Sequence, residues 1–287
     1  MVFRNSLGGR GRRRGGFRWQ ILLLFAAGAA VYYFMNLKKV PYTDRKQLRT
    51  MSLEQEVKLG LQSYMQIMTE EQRKGNIVAG GPQYNAVQDI GEKIAIAASD
   101  TDPGFDWQFN LVDSDQANAF ALPGGYTAVY TGLLPIAQSE DGLAVVMGHE
   151  VGHALAHHGA ERMAQQNMQK IVGAGVAMGA GGMDAGSQQA VMGVFGGISQ
   201  YGYALPFSRK HEEEADYIGL ILMSRACYDP REAPELWDRM GASGGAKPPE
   251  FQSTHPSPET RVQNFNNWMP EAIEIYNQNC PDKIRNY

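Results

Sequence analysis

The sequence predicts an α+β fold, a mainly helical domain with a small β-sheet, preceded by one N-terminal transmembrane helix. Three observations lead to this prediction. Residues 19–37 are almost free of charge and follow a basic tail, residues 1–18. Apolar residues recur at helical spacing through most of residues 50–287. The alternation typical of strands is confined to residues 107–130.

The N-terminal apolar segment is predicted to be an uncleaved membrane anchor. Its apolar core, Ile21 to Met35, is short for a spanning helix, which needs about 20 residues, but the flanks within residues 19–37 bring it into range. A cleaved signal peptide is the alternative, because Ala27-Gly28-Ala29 resembles a cleavage site. The anchor is favoured because the apolar run continues past that site. A polar connector follows.

The basic tail bears on orientation and location. Residues 1–18 hold six arginines and no acid, although the whole chain has a net charge of −4. Basic residues favour the cytoplasmic side, so we expect a single-pass protein of the inner (cytoplasmic) membrane with its main domain on the periplasmic side. An arginine-rich N-terminus without acids also resembles an organelle targeting sequence, so the mitochondrial inner membrane is the second option. The acidic remainder argues against nucleic acid as the main partner.

Two amphipathic helices are predicted after the connector. Ser52, with Gln55 three residues later, forms a capping box at the start of the first helix, which ends at Gly75. The second helix covers Tyr84 to Ala98. The residues predicted to face the core are Leu53, Val57, Leu61, Tyr64 and Met68 in the first helix and Val87, Ile90, Ile94 and Ala97 in the second.

The predicted strands come next. Trp107 to Leu111 alternates between apolar and polar residues, and residues 118–130 suggest two short strands around the turn Pro123-Gly124-Gly125. An exposed strand of this kind can pair with an extended peptide, and an ordinary hairpin in a small sheet fits this stretch equally well.

Ser139 to Gly159 contains the HExxH pattern. His149 and His153 are four residues apart, so on a helix they project from the same face. Two imidazoles in that arrangement can bind one Zn²⁺, and Glu150 can take a proton from water at such an ion. The alternative to metal binding is a helix whose histidines are only hydrogen-bonded to neighbours or exposed to solvent.

The segments after this helix are less uniform. Residues 171–204 are rich in Gly, Ala and Met, which allows two close-packed helices, a flap over a cleft or a surface dipping into the membrane. Residues 206–226 predict a helix, and two Xaa-Pro pairs, Asp229-Pro230 and Ser257-Pro258, predict helix starts. The helix after Ser257-Pro258 is predicted to reach Trp268.

The two cysteines, Cys227 and Cys280, form either one disulfide or two buried thiols.

Two histidines leave the ion short of a protein ligand. The metzincin pattern requires glycine and histidine where this chain has Ala156 and Gly159, so that class is rejected. His157 continues the four-residue spacing but lies two turns from His149, so we expect it behind the ligands or on the surface. A carboxylate from a later helix remains, and residues 208–216, SRKHEEEAD, offer several.

HExxH followed about sixty residues later by SRxxExxAD resembles the gluzincin metallopeptidases, which include the CAAX prenyl protease, the heat-shock membrane protease HtpX and periplasmic relatives. The resemblance covers roughly residues 50–270. Its other shared pieces are Asn118-Ala119-Phe120, Gly132-Leu133-Leu134, Tyr228-Asp229-Pro230 and Thr254-His255-Pro256 with Arg261.

The resemblance implies a role for each matching residue. Glu212 corresponds to the third zinc ligand, and Asp216 to an aspartate that orients a ligating histidine. Asn118 corresponds to a residue that holds the substrate backbone. His255 and Arg261 correspond to groups that stabilise the oxyanion.

We therefore predict a gluzincin zinc metallopeptidase domain over residues 50–287. One Zn²⁺ per chain is held by His149, His153 and Glu212, with Glu150 as general base. Glu213 and Glu214 are expected on a solvated face. The resemblance implies that the substrates are misfolded or damaged membrane or envelope proteins. One predicted anchor, instead of several spans, makes prenylated peptides improbable substrates.

Two other functions stay open. One is a catalytically weak chaperone or assembly factor that uses the same cleft to hold client proteins. The other is a structural zinc protein, which is disfavoured because structural sites normally have four protein ligands. The sequence does not define the oligomeric state.

Overall fold

A computed structural model describes residues 18–181, 183–189, 191, 205–243, 251, 255 and 260–284. Its described helices are α1 (Trp19–Met35), α2 (Leu53–Lys74), α3 (Pro82–Ala97), α4 (Leu134–Ala137), α5 (Glu140–Leu155), α6 (His158–Ala180), α7 (Leu205–Arg225), α8 (Glu232–Ala242), α9 (Arg261–Asn279) and α10 (Pro281–Ile284). Its strands are β1 (Leu37–Lys39), β2 (Lys46–Leu48), β3 (Ile77–Val78), β4 (Gln108–Val112), β5 (Ala119–Leu122) and β6 (Tyr126–Tyr130). The mainly helical α+β prediction is confirmed.

The chain divides into two compact units. The larger unit comprises residues 37–164 and 206–287, and the smaller one comprises residues 1–36 and 165–205. The larger unit begins before the predicted start of the domain at residue 50, because β1 and β2 pair as an antiparallel hairpin in the predicted connector.

A four-stranded sheet in the order β3-β4-β6-β5 forms one side of the larger unit. β5 and β6 are the predicted hairpin around residues 123–125, and β4 pairs with β6 in parallel. All five residues of β6 are buried. The strand order leaves β3 and β5 at the two edges of the described sheet.

Helix α2 confirms its predicted capping box and its end at Gly75, which adopts a φ of 76°. Its predicted inward face is right only in part. Val57, Tyr64 and Met68 are half-buried, whereas Leu53 and Leu61 are exposed and Glu56 and Gly60 are buried instead. A Cβ at Gly60 would collide with the carbonyl oxygen of Pro123, so only glycine allows this approach to the sheet hairpin. The inward side of α3 is as predicted, with Val87, Ile90 and Ile94 fully buried.

Helix α5 runs through the centre of the larger unit. Ser139 caps it by accepting a hydrogen bond from the backbone N–H of Gly142. Helix α7 packs against it at glycines. A Cβ on Gly219 would lie 2.7 Å from backbone atoms of Gly148 and His149, and a Cβ on Gly152 would lie 2.8 Å from the carbonyl oxygen of Ala215. These glycines set how closely the two helices approach.

We expect Gly219→Ala to lower the free energy of unfolding by about 1–3 kcal/mol, because the added methyl group overpacks the contact between α5 and α7. Gly241→Ala is the matched control, since a Cβ there meets open space within α8. Chemical denaturation measures both changes. Equal stability of the two variants would show that the helices can separate at no cost.

Cys227 and Cys280 form a disulfide between the end of α7 and the end of α9, with the Cα atoms 5.5 Å apart. This decides between the two states that the sequence left open. The bond closes a loop of 53 residues, which limits the unfolded chain.

We expect Cys280→Ser to lower the free energy of unfolding by about 2–4 kcal/mol. Urea denaturation with and without a reducing agent measures this loss. Reductant should destabilise the wild type by the same amount and leave the variant unaffected. If reductant does not change the free energy of unfolding of the wild type, the disulfide does not stabilise the fold.

The last helices differ from prediction in extent. α9 begins at Arg261 and continues to Asn279, beyond the predicted end at Trp268, with Pro270 inside it. The predicted start at Ser257-Pro258 lies outside the described residues. So do residues 182, 190 and 192–204 of the Gly-rich segment, whereas residues 171–180 extend α6.

The smaller unit contains α1 and the second half of α6. A Cβ on Gly175 would lie 2.6 Å from the Cβ of Phe25, and the N–H of Arg18 donates to the carbonyl of Gly179 at 2.8 Å, so the two segments are in close contact. α1 ends at Met35, two residues before the predicted end of the anchor. Of the helices that the structure describes, none combines the length and the apolar character needed to cross a membrane.

Candidate active site

The HExxH residues lie on the inward side of α5. His149 and Glu150 are 1% and 3% exposed. The Nε2 atoms of His149 and His153 are 3.1 Å apart. The four-residue spacing therefore brings two ring nitrogens to one point.

Glu212 reaches this point from α7. Its Oε2 lies 3.3 Å from Nε2 of His149, and its Oε1 lies 3.4 Å from Nε2 of His153. Nδ1 of His255 joins them, 3.2 Å from both the His149 Nε2 and the Glu212 Oε2. The four side chains offer donor atoms that all lie within 4.8 Å of one another.

The spacing of these donors fits a small tetrahedral cation. Ligands at about 2.0–2.1 Å from a tetrahedral Zn²⁺ ion are about 3.3 Å from each other. The three distances among His149, His153 and Glu212 are 3.1, 3.3 and 3.4 Å. Imidazole nitrogen and carboxylate oxygen are also the donor types that zinc takes in catalytic sites.

Two further side chains, Asp216 and Arg261, contact the candidate ligands on the side away from the metal site. Nδ1 of His149 lies 2.8 Å from Oδ1 of Asp216. Arg261 donates through Nη2 to the same oxygen at 2.7 Å and through Nε to Oδ2, and it lies 3.4 Å from Glu212. Its guanidinium stacks on the Trp237 ring at 3.5 Å.

Burial and hydrogen bonding shift the pKa values in this cluster. Burial raises the pKa of Glu150 and lowers that of His153 to about 3. For His149, burial alone would lower the pKa, but hydrogen bonds to Asp216 and Glu212 raise it to about 9. Burial would raise the pKa of Glu212, yet its three histidine partners hold it well below its usual range. This environment favours positive charge beside the Glu212 carboxylate, which a divalent cation supplies as well as a proton does.

A cavity of about 260 Å³ opens beside the cluster. The residues lining it include Phe120, Ala121 and Leu122 of β5, together with Glu150 and His255. The backbone N–H of Ala121 donates to Oε2 of Glu150 at 3.2 Å. The edge strand therefore borders the same space as the HExxH carboxylate.

The sequence model of a known family matches residues 82–269, and its description is peptidase family M48. The chain belongs to peptidase family M48. This confirms the gluzincin resemblance, and the chain is a metalloendopeptidase.

Three relatives illustrate how far this M48 chain is similar to known proteins. The mitochondrial metalloendopeptidase OMA1 of Schizosaccharomyces pombe is 37% identical over 258 residues, which is 89% of this chain and 73% of that protein. OMA1 of Saccharomyces cerevisiae is 33% identical over 282 residues, which is 93% of this chain and 79% of that protein. The β-barrel assembly-enhancing protease of Yersinia pestis is 31% identical over 187 residues, which is 63% of this chain and 38% of that protein.

Two residues that the sequence assigned to the reaction, Arg261 and Asn118, are not among those that line this cavity. Arg261 is 1% exposed and does not line the cavity, because it is bound to Asp216 behind the ligands. Asn118 precedes the edge strand and does not line the cavity either. Its Oδ1 is buried without a hydrogen-bond partner among the described residues.

The structure also shows polar residues of this M48 domain that the sequence reasoning missed. Glu213 is exposed as expected, but Glu214 is 6% exposed and lies 3.0 Å from Nε2 of His158. His157 is buried, and its Nδ1 lies 3.0 Å from both carboxylate oxygens of Glu56. No spacing rule identifies His158, because the chain turns at His157, which has a φ of 52°.

Proposed function

We propose that this M48 peptidase is a zinc-dependent endopeptidase attached to a membrane through α1. The observation that carries the zinc assignment is the convergence of His149, His153 and Glu212 at 3.1–3.4 Å beside the buried Glu150. Zn²⁺ at this point would be held by the two Nε2 atoms and the Glu212 carboxylate. When bound, it lowers the pKa of a water molecule and polarises a peptide carbonyl.

Glu150 is proposed as the general base. Its carboxylate lies next to the ligands on α5, and burial raises its pKa, so it accepts a proton more readily than a carboxylate in water. It would take the proton from water as the carbonyl carbon is attacked, and then pass it to the leaving amine. His255, whose Nε2 lies 3.4 Å from Oε1 of Glu150, would support the developing negative oxygen.

The edge strand β5 is proposed to bind the substrate backbone. Asn118 and Leu122 use their carbonyl groups for bonds to Tyr130 and Gly125 within the hairpin. Because backbone groups alternate along a strand, those of Ala119 and Ala121 face away from β6. On that side Ala121 lines the cavity and its N–H donates to Glu150, which leaves its carbonyl for a substrate. An extended peptide can add to that edge as a further strand, and Asn118, which directly precedes β5, is proposed to hold the substrate backbone there.

The membrane attachment rests on the surface of α1. Leu24, Phe34 and Met35 are more than 70% exposed, and the helix carries no charged residue. An apolar helix surface of this kind favours a lipid environment. We retain residues 19–37 as the proposed anchor and residues 1–18 as its basic flank.

The location and substrates of the protein are also proposals. The names of the two yeast relatives and the acid-free basic tail favour a mitochondrial membrane over the bacterial inner membrane that the sequence put first. Misfolded or damaged membrane proteins are the proposed substrates, because an anchored cleft with a backbone-binding edge selects extended chains near the membrane.

Metal analysis combined with casein cleavage tests the proposed function. We expect about one zinc per chain, cleavage of unfolded casein, loss of cleavage with a chelator and recovery when zinc is restored. A protein that cleaves casein equally well after complete removal of the metal would contradict the assignment.

A further inference from the structure

The two candidate histidine ligands differ in what holds the ring nitrogen that faces away from the metal site. In His149 this nitrogen, Nδ1, lies 2.8 Å from the carboxylate of Asp216. In His153 it lies 2.8 Å from another imidazole nitrogen, Nδ1 of His158. No carboxylate contacts it directly among the described residues. The second ligand is therefore held in a different way from the first.

The protons in this contact can be arranged in only one way if His153 binds a cation through Nε2. A neutral imidazole that uses Nε2 as a ligand carries its proton on Nδ1. His153 must then donate to Nδ1 of His158, which leaves the His158 proton on Nε2. That nitrogen lies 3.0 Å from Oε2 of Glu214, which can accept from it.

Glu214 is in turn fixed by the β1–β2 hairpin. The hydroxyl of Thr43 donates to its Oε1, and Nε of Arg45 donates to its Oε2 at 2.8 Å. Arg45 also donates to both oxygens of Glu161, at 3.0 and 2.7 Å. This bidentate pair leaves Arg45 little freedom, so Glu214 has a defined position.

A stacked ring fixes the plane of His158. The ring of His211 lies 4.4 Å from that of His158 at an angle of 19°, and its Nε2 lies 3.0 Å from Oε2 of Glu161. His158, Glu161 and His211 are each 3% exposed or less. The imidazole of His158 is thus held both in its plane and at its outer nitrogen.

We propose that His158 and Glu214 are positioning residues that orient His153 for metal binding, with Thr43 and Arg45 holding Glu214. This inference rests on the proposed zinc site. Removing such a partner behind a ligating histidine typically costs 10–100-fold in metal affinity. The hairpin that follows α1 is thereby connected to the second zinc ligand.

Zinc affinity, measured by competition with a chromophoric chelator, tests the proposal without reference to peptidase activity. We expect His158→Phe, which keeps a ring but removes the acceptor, to bind zinc about 10–100-fold more weakly. His158→Asn should restore affinity to within a few-fold of the wild type, because Asn Oδ1 is attached to Cγ as His Nδ1 is. Equal affinity of the wild type and His158→Phe, or equal losses in both variants, overturns the proposal.

A second pair of variants keeps the side-chain volume constant. Glu214→Gln weakens the bond to His158 because a neutral acceptor replaces a charged one, so we expect zinc affinity to fall by up to about tenfold. Glu213→Gln, the exposed neighbour on α7, should leave it unchanged. Equal affinities of these two variants overturn the proposed role of Glu214.

The ring ¹⁵N chemical shifts of the zinc-loaded wild type give a test that does not depend on how the variants fold. We expect the proton on Nδ1 in His153 and on Nε2 in His158. The opposite tautomer at His158 contradicts the proposal. A wild type that binds no zinc contradicts the proposed function instead, so the two failures can be told apart.

Discussion

Glu150→Gln is expected to lower kcat/KM for casein-derived peptides by about 10²–10⁴-fold, the usual contribution of a general base. Glutamine fits the same buried space but cannot take a proton, whereas the zinc ligands His149, His153 and Glu212 stay intact. Zinc content should therefore equal that of the wild type. Initial rates of peptide cleavage and metal analysis on the same preparation measure both quantities.

Glu140→Gln is the matched control, because Glu140 is an exposed residue in the first turn of the same helix. It should keep wild-type activity. If Glu150→Gln also keeps it, Glu150 is not the base. If the variant loses cleavage but still prevents client aggregation as well as the wild type does, holding client proteins is a function independent of hydrolysis.

Arg261→Met is expected to lower the free energy of unfolding by about 3–5 kcal/mol, because it removes one partner of a buried ion pair and leaves the charge of Asp216 uncompensated. The side chains of Arg261 and Asp216 are 1% and 2% exposed. Zinc affinity should also fall by about 10–100-fold, since Asp216 orients His149. Denaturation curves and chelator competition measure the two effects.

Arg73→Met removes an exposed arginine on α2 and should change stability by no more than about 0.5 kcal/mol. If Arg261→Met behaves like this control and retains zinc, the buried pair does not support the site. If it instead keeps its stability and zinc affinity but loses kcat, the oxyanion role predicted from the sequence is restored.

The parts of the site that lie on one helix could be predicted from sequence. Ser139 caps α5 by a local hydrogen bond, and the spacing of His149 and His153 puts both rings on one face wherever that helix packs. These features depend on residues fewer than five positions apart. They do not require knowledge of the tertiary fold.

The parts that depend on another helix could not be found in this way. Among three consecutive glutamates, periodicity cannot tell the one that faces α5, and only the resemblance singled out Glu212. Glu214 was expected in solvent, yet α6 and the β1–β2 hairpin cover it and supply His158 and Arg45 as partners. Both partners come from segments distant in sequence.

Backbone features explain two further differences. The φ of 52° at His157 ends the regular rotation of α5, so the next histidine, instead of the one in register, lies against His153. Gly60 lets α2 approach Pro123, which turns Glu56 inward and leaves Leu61 exposed. Neither consequence follows from hydrophobic spacing, which places apolar residues inward.

An anomalous difference map from crystals of the zinc-loaded protein, recorded at the zinc absorption edge, tests the metal site most directly. We predict one strong peak about 2.0–2.2 Å from Nε2 of His149, Nε2 of His153 and a carboxylate oxygen of Glu212. A peak elsewhere in the chain, or a peak at the two histidines with the Glu212 side chain out of reach, would contradict the proposed site.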